Sequence, residues 1–175
     1  MATWQLDTAH SSATFAVRHM MITTVRGSFN IKEGKIVFDP ANPSAASVEA
    51  TLDVASVNTG VADRDNHLRS ADFFDAANYP VITFKSTSVK PTGENTAEIT
   101  GNLTIRGVAR PVVLKTEFLG QGKGVDGKTR AGFVATTKIN REDWGLTWNV
   151  VLEAGGLLVS KEVNIELDVQ AVLAE

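Results

Sequence analysis

The sequence predicts an all-β domain: roughly eight antiparallel strands, closed as an up-and-down barrel or stacked as a sandwich, with one short helical segment near residues 62–77. Three observations carry this reading. Apolar and polar residues alternate with period two in run after run, as in strands with one face on a core. Residues that favour turns fall between those runs at hairpin spacing. A single stretch, inside Asp63–Thr87, breaks the alternation with a helix-like pattern.

The elements run in order along the chain. In 13–21, Ala13, Phe15, Val17, His19 and Met21 share a face. Lys32-Glu33-Gly34-Lys35 reads as a turn joining two strands. In 46–54, Ala46, Val48, Ala50, Leu52 and Val54 oppose Ser47, Glu49, Thr51 and Asp53. The helical stretch opens on Asp63, Arg64 and Asp65, passes His67 and Leu68, and reaches Phe73-Phe74. Asn78-Tyr79-Pro80 ends it, and Val81-Ile82-Thr83-Phe84 starts a strand. Pro91 to Asn95 is a hairpin turn. Ile99, Leu103 and Ile105 then oppose Glu98, Thr100, Asn102 and Thr104. The next turn is Arg106 to Pro111, with Pro111 at the first residue of a strand, where a missing donor is tolerated. Gly120 to Lys128 is a glycine-rich loop before Ala131, Phe133, Ala135 and Ile139. Val150 to Leu158, with Gly155-Gly156, reads as a flap or a turn. Val163, Ile165, Leu167, Val169 and Ala171 form the apolar face of the last strand.

The chain has 175 residues, 43% of them hydrophobic, which fits one domain over 1–175 with a sizeable core. A net charge of −3 without a basic cluster argues against a nucleic-acid partner. No apolar run approaches the ~18 residues of a membrane span. Cysteine is absent, which excludes disulfides, thiolate ligands and a thiol nucleophile. The opening MATWQLDTAHSS has neither the basic nor the apolar region of a secretory leader. As written it predicts a cytoplasmic protein, or a periplasmic one if a leader had been removed.

The inward positions mix large residues (Phe15, Phe29, Phe133) with small ones (Ala13, Gly27, Ala131, Ala135). An eight-stranded barrel with such an interior either holds one small ligand or interdigitates as a filled core. Gly122 to Thr129 matches the phosphate-loop pattern G-x-x-x-x-G-K-S/T, but Arg130 to Thr136 alternate like a strand rather than opening a helix. The mechanism of that loop needs the helix, so the stretch reads as a solvated hairpin loop.

Chemistry-bearing residues are sparse. His10, His19 and His67 have no metal-ligand spacing, so a metal-assisted enzyme would assemble them from distant strands. His19 sits on an apolar face, where it is a core residue or a polar contact for a guest. No nucleophile elbow occurs. No catalytic residue, metal or cofactor is assigned. The stretch Ile139 to Trp148 carries Arg141, Trp144 and Trp148, a packed corner or a cavity mouth.

Several motifs carry a family resemblance. They are Asp7-x-x-His10-Ser11, Gly27-Ser28-Phe29, Ser56-Val57-x-Thr59, and Arg64-Asp65-x-His67-Leu68-Arg69-Ser70-x-Asp72-Phe73-Phe74-Asp75. Tyr79-Pro80-x-Ile82-Thr83-Phe84, Gly101-x-Leu103-Thr104-Ile105-Arg106-Gly107 and Asn140-Arg141-x-Asp143-Trp144-Gly145 continue them. By these the chain resembles the YceI-like, polyisoprenoid-binding family nearly end to end. The resemblance implies an extended, lipocalin-like barrel of about eight strands and a homodimer. It also implies an apolar cavity for an isoprenoid, such as a polyprenyl phosphate or a quinone tail, or for a similar long-chain lipid. It makes the protein a non-catalytic binder or carrier. Phe15, Val17, His19, Phe29, Leu103 and Phe133 are then candidate cavity contacts, and Arg141, Trp144 and Trp148 candidates for the mouth. The alternatives are the metal-assisted enzyme and a filled barrel acting as a dimeric interaction module.

Overall fold

The computed structural model describes residues 2–150, 152 and 158–174. The strands are β1 (Ala2–Leu6), β2 (Ser12–His19), β3 (Thr23–Phe38), β4 (Ser47–Asn58), β5 (Val81–Pro91), β6 (Thr96–Ile105), β7 (Val108–Lys123), β8 (Thr129–Asn140) and β9 (Val159–Leu173). One helix, α1 (Ala62–Arg69), lies between β4 and β5. All the strands belong to one antiparallel sheet, ordered β1-β3-β2-β9-β8-β7-β6-β5-β4 and closed by β3–β4 pairing. Closure gives every stave a paired neighbour on both sides.

Nine strands make eight staves. β1 and β2 both pair with β3 and with β9, in the same direction. They are one stave in two pieces, interrupted at residues 7–11. The interruption keeps its backbone satisfied. Asp7 N–H donates to Gln170 O at 2.8 Å, and Ser11 Oγ accepts from Gln170 N–H at 3.0 Å while donating to Gln170 O at 3.2 Å. Asp7 also takes Arg130 Nη1 at 2.8 Å, and Arg130 Nη2 reaches Asp126 at 2.7 Å. The broken stave is thereby tied to the β7–β8 hairpin.

The expected alternation is present on most staves. Ala131, Ala135 and Ile139 on β8, with Ala171 on β9, are buried. Two apolar clusters result. One surrounds Val54, Val57, Phe73, Ile82 and Trp144 at the α1 end, and the other surrounds Trp4, Ile36, Ala131 and Ala171 at the far end.

The structure corrects several sequence expectations. Lys32 to Lys35 is no turn: β3 runs through it, with Gly34 opposite Ala50. The polar run and glycine instead mark bulges near Asn30 and Glu33 and a close approach, since a Cβ on Gly34 would collide with Leu6. Glycine in a strand has that meaning as often as a turn. Met21 is not part of a strand face. β2 stops at His19, and Met20 and Met21, at φ 53° and 60°, reverse the chain. The helix ends at Arg69, because Ser70 is extended and its N–H bonds back to His67 O; the rest of the stretch to Asn78 is a series of turns. Pro111 is the fourth residue of β7 rather than the first, and β8 lies beside β7 only from Lys115 onward. Gly124 to Lys128 forms a hairpin loop with a strand after it. The flap-or-turn at Val150–Leu158 falls largely outside the described residues.

Candidate ligand-binding cavity

The long inward faces of the staves enclose an apolar cavity of about 340 Å³, within the ~300–1,000 Å³ of small-molecule pockets. On β9 its lining runs from Val159 to Val169, about 30 Å of strand. It is therefore long and narrow. Val48, Ala50, Leu52, Phe84, Ile99, Leu103, Leu114, Phe133, Ala135 and Ile165 supply the middle.

One end is covered. The backbone of α1 is fixed by the signature residues. Asp65, buried, accepts from Thr59 N–H at 2.8 Å and from Thr59 Oγ1 at 2.5 Å. Arg64 donates to Thr59 Oγ1 and to Thr59 O, both at 2.7 Å, and Arg69 to Ala55 O at 2.8 Å and Val57 O at 3.2 Å. Held in this way, the segment sets Leu68, Phe73 and Phe74 against the end of the cavity. Phe74 meets Phe29 edge-on at 5.2 Å, and Phe29 meets Phe15 at 5.5 Å. Behind them His67 packs edge-on against Phe73 and Trp148, at 5.1 and 4.6 Å, and bonds Asp72 at 2.9 Å.

Arg141 closes the same end from the β8–β9 side. Asn140 caps a short 3₁₀ turn, accepting Glu142 N–H at 3.0 Å, and Gly145 ends it at φ 79°. The Arg141 side chain is 4% exposed and spends its fork on carbonyls. Nε donates to Ser160 O at 2.9 Å, Nη1 to Leu146 O at 2.5 Å and Trp148 O at 3.0 Å, and Nη2 to Val159 O at 3.3 Å. Burial pulls its pKa below the ordinary arginine value, against the Glu142 carboxylate, which raises it. Trp144 is buried beside it and donates Nε1–H to Leu103 O at 2.8 Å.

The other end is open. Pro40, Pro43 and Ala46 of the β3–β4 connection face Pro91 and Gly93 to Thr96 of the β5–β6 hairpin. Residues 91–96 are exposed. Phe38, Phe118 and Phe133 form a mutually packed triad there, at 5.4 to 5.7 Å between ring centres. Phe118 N–H donates to Asn95 O at 2.7 Å.

Of the residues expected at the site, Phe15, Val17, Phe29, Leu103, Phe133 and Arg141 line the cavity; His19, Trp144 and Trp148 do not. Arg141 lies at the covered end rather than the mouth, because the chain around it must be clamped to start β9. The sequence pattern did not reveal the mouth itself. Its only signal was a cluster of prolines (Pro40, Pro43, Pro91), which stiffens two loops without showing that they face each other. The three histidines are apart. His10 pairs with Asp7, His67 with Asp72, and His19 ends β2. Among the described residues no group of three metal-ligating side chains occurs.

Comparison with known proteins places this geometry. The YceI-like domain matches residues 4–171. A UPF0312 protein of Ectopseudomonas mendocina is 46% identical over 138 residues, covering 79% of this chain and 72% of its own. Another, from Vibrio cholerae, is 40% identical over 98% of this chain and 87% of its own. Among solved structures, Burkholderia cenocepacia BcnA superposes with a TM-score of 0.83 at 27% identity, covering 94% of this chain and 98% of its own. A polyisoprenoid binding domain from Saccharophagus degradans gives 0.72 at 19% identity, over 99% and 100%, a likeness of fold. From the amino-terminal half-stave to the last strand, the chain belongs to the YceI-like family.

Proposed function

We propose that this protein binds an isoprenoid or similar long-chain amphiphilic lipid and carries or sequesters it without chemical change. The observation that supports this most directly is the cavity: long, apolar along its length, floored by aromatic side chains and open at one end. Each methylene that enters it gains roughly 0.8 kcal/mol. Ordering the tail and losing free translation offset much of the sum. Tail burial therefore supplies affinity, and cavity length with the mouth supplies selection. The polyisoprenoid binding domain with the same fold supports the same ligand class.

Organic extraction of purified protein, with mass spectrometry of the extract, tests the reading. A stoichiometric long-chain lipid, or uptake of added polyprenols by protein found empty, is the expected result. Protein that is empty and takes up neither polyprenols nor quinones sinks it. A filled barrel serving only as an interaction module would show no uptake. The open, apolar volume favours the binder.

A further inference from the structure

We infer that the ligand carries an uncharged head group, such as an alcohol, amide or quinone, rather than a phosphate. This rests on the lipid-binding reading and narrows it. An amphiphile whose tail fills the cavity leaves its head at one of the two ends. A phosphate drawn from water into such a place needs cationic or multiple N–H partners.

Among the described residues neither end offers a free cationic side chain. At the mouth, the lining residues that carry polar side chains are Glu94, Asn95, Thr96 and Thr116. The charged one among them is a carboxylate, and no lysine or arginine lines the mouth among the described residues. The Phe38–Phe118–Phe133 triad forms the adjoining wall, with no polar atom in its side chains. At the covered end the one lining cation among the described residues is Arg141, whose guanidinium already donates to four backbone carbonyls. An anion could recruit it only by stripping those carbonyls of their partner. Hydroxyl, amide and carbonyl groups ask for less. The hydroxyls of Thr96 and Thr116 and the Asn95 amide can meet them at the mouth.

Displacement of a fluorescent apolar probe by geranylgeraniol and by geranylgeranyl phosphate decides the point, since the tails are identical. The alcohol is expected to bind at least about tenfold more tightly. Glu94→Gln is expected to improve the phosphate by about threefold at low salt, and Glu94→Lys by more, with little change for the alcohol. The charge effect in the parent fades as salt is raised. Phosphate binding equal to or tighter than the alcohol overturns the inference and leaves the lipid reading intact. An alcohol advantage that Glu94→Lys leaves untouched overturns the mouth as the head-group site. If neither compound displaces the probe, the lipid reading falls and this inference with it.

Discussion

Arg130 Nη1 lies 2.8 Å from Asp7 Oδ2, joining residues 123 apart in the chain. The pair spans from the break in the first stave to the β7–β8 hairpin. The hydrogen bond with His10, then that with Arg130, pulls the Asp7 pKa from 3.8 to about 2. A carboxyl whose folded pKa lies below its unfolded value stabilises the fold above pH ~4 and loses that contribution as pH falls toward 2. A shift of this size corresponds to at most on the order of 2 kcal/mol. Asp126, also lowered by Arg130, acts in the same direction. Urea midpoints measured from neutral pH down to about pH 3 should fall along this limb, and Arg130→Met should flatten it. Parallel curves for the two proteins would refute the assignment.

Gly34 is required by Leu6, which occupies the space where its Cβ would stand. Gly34→Ala should cost about 1–3 kcal/mol through overpacking. Leu6→Ala in the same chain should recover part of that loss, giving a coupling measurable in a double-mutant cycle. The recovery is incomplete because Glu49 O also lies 3.2 Å from the added carbon. Strict additivity would show that the two residues do not meet.

The β2–β3 turn places Met20 and Met21 at positive φ and leaves Ile22 71% exposed. Asn and Gly suit such a two-residue turn, and other side chains are strained there. Replacing Met20-Met21 with Asn-Gly should raise stability by about 1 kcal/mol, read as a higher Tm. An unchanged or lower Tm would argue against the strain.

Arg141 holds the start of β9 to the segment leaving β8. Arg141→Met should cost about 3 kcal/mol or more, since four carbonyls lose a charged donor. Arg141→Lys, with one compact ammonium in place of the fork, should restore only part. Amide exchange should rise first in Ser160 to Val163. A loss below about 0.5 kcal/mol would reduce the clamp to a surface contact.

Ala135 is a buried small residue in the middle of the lining. Ala135→Phe should obstruct the lumen, so that polyprenol uptake falls sharply while the NMR spectrum keeps the dispersion of a folded barrel. Undiminished uptake by a folded variant would move the ligand elsewhere.

The strands were legible because period-two alternation reports one wetted and one buried face, and both faces exist on most staves. The Lys32–Lys35 stretch misled because bulges and a crossing side chain demand the same residues as a turn. What Gly34 avoids is Leu6, a partner set by tertiary structure and invisible locally. The Arg64–Asp75 signature named the family, yet its polar members tie loop to helix around Thr59. Most of the lining residues were legible from the inward pattern. Arg141 reads from the sequence as a packed corner or a cavity mouth, and the structure makes it the packed corner. A cation in a tryptophan-rich turn reads alike whether it meets solvent or four carbonyls, and only packing separates the two.

The stave that closes the barrel is built from the first two strands, and it is sealed by β9, where Trp4 pairs with Leu173. The wall therefore cannot shut during synthesis until β9 has emerged. Before that moment the apolar interior faces solvent along an open seam, and the pairing that ends this exposure has the longest loop to close. Refolding should be slow for the size of the domain. A lipid or a chaperone that covers the seam would then act on the yield of folded protein before the finished cavity exists.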